Sequence, residues 1–152
     1  MTAPLELTIR ALGTPAPQGS FFARIVGGGE RGPLRAIVVP DHKATAPWRK
    51  AVTAAARNAM RAAAWLPLNE PLAVEIVFWL ARPKTVKRAL PATRPDLDKL
   101  ARSTLDALAD ALVFAEDGRV CDLRLSKRYA EPGQPTGARI RVAAMSDQLV
   151  IV

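Results

Sequence analysis

Leu5, Leu7, Ile9 and Ala11 alternate with polar residues, the period-two pattern of a strand with one buried face. The stretch Gly13 to Ser20 (GTPAPQGS) breaks that pattern and predicts a turn-rich connection. Phe21 to Val26 and Leu34 to Val39 read as a strand pair joined through Gly27-Gly28-Gly29. These glycines lack the following Lys-Ser or Lys-Thr of a phosphate-binding loop, so they read as a turn. From Thr45 the period changes. Trp48, Val52, Ala55, Ala56, Ala59, Met60 and Ala63 recur at helical spacing, with Thr45 as a cap, Pro47 in the first turn and Pro67 as the stop. Leu72 to Ala81 is apolar except for Glu75 and predicts a central strand. Leu97, Leu100, Ala101, Leu105, Leu108 and Leu112 predict a second helix over Leu97 to Leu112. Ala115 to Gly118 is a turn. Arg119 to Tyr129 is a strand with Cys121, Leu123 and Leu125 on one face, and Ala138 to Ala144 is a last strand. This order predicts an α+β single domain: a mixed sheet with two main helices packed on one side, a two-layer sandwich.

Composition narrows the class. A chain of 152 residues, 49% hydrophobic and 24% charged, is globular and sized for one core. One cysteine excludes an internal disulfide, and one histidine beside it leaves too few soft ligands for zinc. The chain opens without a basic segment followed by an apolar one, and its longest apolar run is too short to span a bilayer. A cytoplasmic protein without membrane contact is expected. The net charge of +8 favours a polyanionic partner, and nucleic acid ranks above anionic lipid because no helix sets a basic face opposite a bulky apolar one. Arg82 to Pro95 carries five basic residues, three prolines and no acid, and reads as an exposed basic loop.

Against that charge, half of the 14 acids lie between Asp96 and Asp122. Hard divalent cations such as magnesium prefer carboxylate oxygens, and a cation so held polarises a phosphate and activates water. Asp96 and Asp98 straddle the predicted start of the second helix and can splay around one ion. Asp98, Arg102 and Asp106 are four residues apart and stack on one helix face. Arg102 can neutralise a ligand or grip a phosphate. Asp117 sits in the turn beyond the helix, and a strand running back can carry it to the same cluster. Each feature has a plain structural reading as well. Asp96 suits an N-cap, Asp98 the helix dipole, Asp117-Gly118 a turn, and the Asp98, Arg102, Asp106 row a solvated face.

Other residues carry less. His42 lies in a Pro-Asp-His-Lys loop and reads as solvated. Cys121 on an apolar strand face reads as a core thiol. Trp48, Trp65 and Trp79 can stack on bases, but each lies in an apolar element and reads first as core. Phe21 and Phe22 are adjacent, so one of them faces away from the core and is available as a wedge into a DNA branch.

The segment RPDLDKLARSTLDAL, Arg94 to Leu108, resembles the signature of RusA-type Holliday-junction resolvases. That family carries Asp-x-Asp-Asn-Leu, a basic residue one turn on, Asp-Ala-Leu, an acidic pair and a hydrophobic strand ending near a lysine. Glu116-Asp117-Gly118-Arg119-Val120 matches the acidic pair and Ser126-Lys127-Arg128-Tyr129 the strand end. Pro15-Ala16-Pro17-Gln18-Gly19-Ser20 and Pro47-Trp48-Arg49 resemble the N-terminal half of phage-type members.

The resemblance implies a RusA-like endonuclease domain over residues 1–144, with a loose tail at 145–152. It implies Mg2+ held by Asp96, Asp98 and Asp117, with Arg102 in place of a lysine needed for activity. Asp106, Glu116 and Lys99 are supporting residues. Lys99 replaces the usual asparagine and Glu116 the usual aspartate. Arg82, Lys84, Lys87, Arg88, Arg94 and Lys127 are the expected DNA contacts. The implied activity is magnesium-dependent hydrolysis at four-way DNA junctions, by paired symmetric nicks from a homodimer, in recombination and repair. The alternatives are a non-catalytic DNA-binding dimer of the same fold, or a nuclease for flaps and forks.

Overall fold

The computed structural model describes residues 6–19, 21–40 and 43–145, with backbone alone at 21–23 and 38–40. Six strands and two helices follow in the order β1 (Glu6–Leu12), β2 (Phe21–Val26), β3 (Arg35–Pro40), α1 (Thr45–Ala63), β4 (Leu72–Leu80), α2 (Leu97–Asp110), β5 (Val120–Tyr129) and β6 (Gly137–Ala144). The main sheet has the order β1-β6-β4-β5, with β4 and β5 parallel and the other pairs antiparallel. This is the α+β mixed sheet expected, with β4 inside it. The β2–β3 hairpin is a separate two-stranded sheet, and Ile25 and Leu34 stand exposed on it.

The alternation on each strand decides which face the helices cover. Leu72, Val74, Ile76, Phe78 and Leu80 of β4 are buried, as are Leu7, Ile9 and Ala11 of β1 and Ala138, Ile140 and Val142 of β6. Trp48, Val52 and Ala56 of α1 and Leu100, Ala107 and Leu108 of α2 close the core from one side. The opposite face carries Glu6, Arg10, Glu75, Arg124, Arg128, Arg139 and Arg141, partly joined by ion pairs such as Arg141–Glu6 at 2.8 Å. Half-exposed pairs of that kind contribute little to stability.

Several local expectations need correction. Thr45 does not cap α1: it is the first helical residue, and its hydroxyl donates to the Pro17 carbonyl at 2.5 Å. The second helix ends at Asp110, and Leu112 stands exposed with φ 62° where the chain turns away. Ser103 and Thr104 are fully buried in its place, because their hydroxyls are bonded at 2.6 to 3.1 Å to Ala16, Leu100 and Trp48. Cys121 is exposed and is not a core thiol. Val120 pairs with Leu72 and Asp122 with Ala73, so Cys121 is the extra residue of a bulge at the edge strand. Leu123, beside it, is 40% exposed for the same edge position. Trp48 and Trp65 are core, but Trp79 is only half-buried, on the open face. His42 and the side chains of Phe21 and Phe22 lie outside the described residues, as does the expected tail beyond Met145. No helix among the described residues is long and apolar enough to cross a membrane.

Candidate active site at the start of the second helix

Parallel strands cannot be joined by a tight turn, so the chain must cross over between β4 and β5. The basic loop, residues 82–95, and α2 form that crossover. The loop therefore leaves the carboxyl end of β4, and α2 begins there and runs back towards the start of β5. Lys127 lies at that same end and faces the helix layer, opposite Phe78. Its ammonium donates to the carbonyls of Thr93 at 2.6 Å and Pro95 at 2.8 Å. Two of its three donors are thus spent on fixing the entry to α2. Lys127 positions this turn, a different duty from the phosphate contact expected of it.

The N-terminal connection is laid along the first turns of α2. Gln18 N–H donates to the Lys99 carbonyl at 3.0 Å, and Ser103 Oγ to the Ala16 carbonyl at 2.6 Å. Gln18 Nε2 donates to Asp106 Oδ2 at 2.7 Å. Arg49 of α1 then reaches Gln18 Oε1 at 3.4 Å and Asp110 Oδ2 at 2.6 Å. Between this connection and the loop end lies a cleft of about 580 Å³, lined by Thr14, Pro15, Pro17, Gly19, Ala44, Arg94, Pro95, Asp96 and Lys99.

Asp96 occupies the position just ahead of α2, but its carboxylate makes no capping bond; only its backbone carbonyl accepts from Leu100 N–H, at 3.0 Å. The carboxylate faces the cleft, 3.5 Å from the Lys99 ammonium, and both side chains are about half exposed. The N-cap reading of Asp96 is not realised. Asp98, in the first turn, is exposed and favoured by the helix dipole. Arg102 is exposed, and no ion pair joins it to Asp98 among the described residues. Asp106 is half-buried and held by Gln18, so the expected Asp98, Arg102, Asp106 row is divided between solvent and an internal bond.

Glu116 pairs loosely with Arg119 at 3.7 Å, and Asp117 is exposed in the short 3-10 turn Asp117–Arg119. That turn leads into β5 at Val120, and β5 reaches the α2 entry only at Lys127. Seven residues of strand at about 3.3 Å each put Asp117 roughly 20 Å or more from Asp96, at the other end of α2. Accordingly, no group of three His, Cys, Asp or Glu among the described residues is gathered closely enough to hold a metal ion. Magnesium usually keeps several waters and takes one or two carboxylates together with substrate phosphates. The exposed Asp96 and Asp98 fit that mode; Asp117 does not join them within one chain.

Arg94 lines the cleft, and Lys84, Lys87 and Arg88 of the same loop are exposed. Arg82 is exposed too, yet committed: its guanidinium lies 4.5 Å from the centre of the Tyr129 ring and donates to the Arg88 carbonyl at 2.6 Å. Gln18, Arg49 and Asp110 were not among the residues expected at the site. For Gln18 and Arg49 the signal lay in the N-terminal motifs, whose Ala16, Gln18 and Arg49 grip α2; Asp110 carried no such signal. Asp106→Ala is expected to cost about 1–3 kcal/mol in urea unfolding, because it strands the Gln18 amide and loosens this grip.

A basic α+β protein that exposes paired carboxylates at one helix start, between a cleft and a cation-rich loop, has the make-up of a nuclease. The family model for endodeoxyribonuclease RusA matches residues 15–143, and the chain belongs to this family. Membership makes it an endodeoxyribonuclease, of a family that acts on branched DNA junctions. Among curated proteins no match to the sequence is found.

Proposed function

We propose that this protein resolves four-way DNA junctions by magnesium-dependent hydrolysis, as a homodimer, in recombination and repair. The observation that carries this reading is the cleft at the α2 entry, with Asp96 set between Arg94 and Lys99 and its carboxylate left free of capping. Asp96 and Asp98 would hold the ion, which supplies Lewis acidity toward the scissile phosphate. Arg94 and Lys99 orient that phosphate. Arg102 adds a fixed positive charge one turn along the helix; as an arginine it holds phosphate and does not exchange a proton near neutral pH. Lys84, Lys87 and Arg88 hold the flanking backbone.

Asp117 enters this scheme only through a second copy. A two-fold dimer can set Asp117 of one protomer against Asp96 and Asp98 of the other, giving two equivalent sites for a junction of near two-fold symmetry. Light scattering should then report about twice the 16.4 kDa chain mass.

The test is a labelled four-way junction and a matched duplex, each with and without magnesium. Paired nicks in the junction alone, with magnesium alone, are the expected result. A second reading draws on the Lys99–Asp96 pair at 3.5 Å, in which a lysine occupies the charge of a metal ligand. A non-catalytic junction binder would bind the same DNA and leave it intact at every magnesium concentration.

Charge reversal at Lys87 and Arg88 should weaken binding to every DNA shape. It should also lower the slope of log K against log salt by about one for each phosphate that the loop no longer neutralises. An unchanged slope would place the loop away from DNA.

A further inference from the structure

The carboxyl end of β4 carries a second cavity that the cleavage chemistry leaves unused. Phe78 and Leu80 turn into the core, so Trp79 between them points to the open face of the sheet, where it is half-buried. Its neighbour on β6 is Gly137. A Cβ on Gly137 would lie 2.1 Å from the Ala11 carbonyl oxygen, so the close approach of β1 requires glycine there, and the residue facing Trp79 on β6 carries no side chain. Its neighbour on β5 is Arg128, which is exposed.

The indole borders a cavity of about 620 Å³, closed by Arg82, Arg128, Tyr129, Glu131 and, from the basic loop, the exposed Leu90. The Arg139 guanidinium stands 6.0 Å from the indole centre. This is a flat aromatic surface among guanidinium groups, with one carboxylate and an apolar rim. Such a site suits an unpaired nucleobase, whose face stacks on the ring while its phosphate meets the cations. Bases inside an intact duplex have no free face to offer it. The cavity takes Arg82, Ala89 and Leu90 from the basic loop, and the same loop ends at Pro95, immediately before Asp96.

We propose that this cavity binds one unpaired nucleobase at the branch point of the DNA substrate. The proposal rests on the reading of the protein as a junction endonuclease, and it adds a contact that distinguishes a branch from a duplex.

The protein has three tryptophans; Trp48 and Trp65 are buried with their indole N–H groups bonded, which makes Trp79 the ring that DNA can reach. Tryptophan emission is followed while a dye-labelled DNA is titrated, and dye anisotropy reports binding independently. A four-way junction and a duplex with one bulged base should quench the emission, whereas a fully paired duplex should bind without quenching. Trp79→Phe should lose the quench and, with its smaller ring, weaken junction binding by less than Trp79→Ala does. Trp79→Ala should weaken junction binding roughly 5- to 150-fold, the range for losing one stacked base. If Trp79→Ala fails to fold, the wild-type and Trp79→Phe titrations decide alone. Junction binding with unchanged emission, equal quenching by the paired duplex, or quenching that survives in Trp79→Phe would each overturn the proposal. Absence of binding to any DNA would instead overturn the endonuclease reading, and this inference with it.

Discussion

Asp98→Asn is expected to lose at least about 100-fold of junction cleavage while junction binding is kept or tightened. Changes to groups that merely support a metal ligand already cost about 10- to 100-fold, so loss of a ligand sets that range as a floor. The substitution also removes a negative charge that faces a polyanion, which favours binding. Asp98 is exposed and sits in the first turn of α2, so its loss leaves no buried group unpaired and the fold should persist. Loss of binding together with cleavage would make Asp98 a structural residue. Asp117→Asn should be equally inactive, and the distance between Asp117 and Asp96 along α2 then gives a sharper test. Two inactive proteins, Asp98→Asn and Asp117→Asn, are unfolded together and refolded as mixed dimers. If each site draws Asp96 and Asp98 from one protomer and Asp117 from the other, a mixed dimer has one intact site and regains single-strand nicking. If each site is built within one chain, every site carries a defect and no nicking returns. Wild-type chains mixed with Asp98→Asn should nick once per junction in both cases, which controls for refolding.

The largest expected loss of stability comes from Trp48→Ala. Trp48 is 1% exposed and lies where α1 meets α2 and β1, and its indole N–H donates to Thr104 Oγ1 at 3.1 Å. Truncating a buried aromatic to alanine costs about 3–5 kcal/mol, through reduced burial and the cavity left behind. Typical domains hold only about 5–15 kcal/mol in total, so this variant should show a much lower urea midpoint. Trp48→Phe separates the two contributions. It keeps most of the ring and loses the hydrogen bond, and should cost about 1–2 kcal/mol, since Thr104 still donates to the Leu100 carbonyl at 2.9 Å. Equal losses in both variants would mean that the hydrogen bond, and not the packing, holds α1 against α2.

Much of the architecture was legible in the chain because one-dimensional period maps directly onto one buried face. The alternation in β1, the apolar run of β4 and the helical spacing from Trp48 and from Leu97 each named its element and its inward side. The candidate acids were legible as a cluster in sequence, because a basic chain that places half its acids in one short region is conspicuous by composition alone. Period did not decide the polar residues that are buried. Ser103 falls off the apolar stripe of α2 and Thr104 is a polar residue within it, and the carbonyl of Ala16 and the indole of Trp48, both distant in sequence, make their burial tolerable. Cys121 followed the apolar period, but a bulge shifted the register and exposed it at an edge.

What the sequence by itself determined was the α+β class, the basic loop, the exposed acids at the α2 entry and membership in a family of DNA endonucleases. The first three follow from local spacing and composition and membership from the match of its motifs to the family, and none of them needs a partner elsewhere in the chain. Tertiary structure alone decided how those parts meet. The parallel pairing of β4 and β5 forces a crossover, and the crossover sets the basic loop and Asp96 at one end of the sheet. The same geometry sends Asp117 to the other end of α2, although 21 positions separate them in a chain that could equally have folded back. It also turned Lys127 inward to hold the Thr93 and Pro95 carbonyls, and joined Gln18 to Asp106 across 88 positions. Distances of that kind depend on strand order and direction, and a single chain's pattern of polar and apolar residues does not encode either.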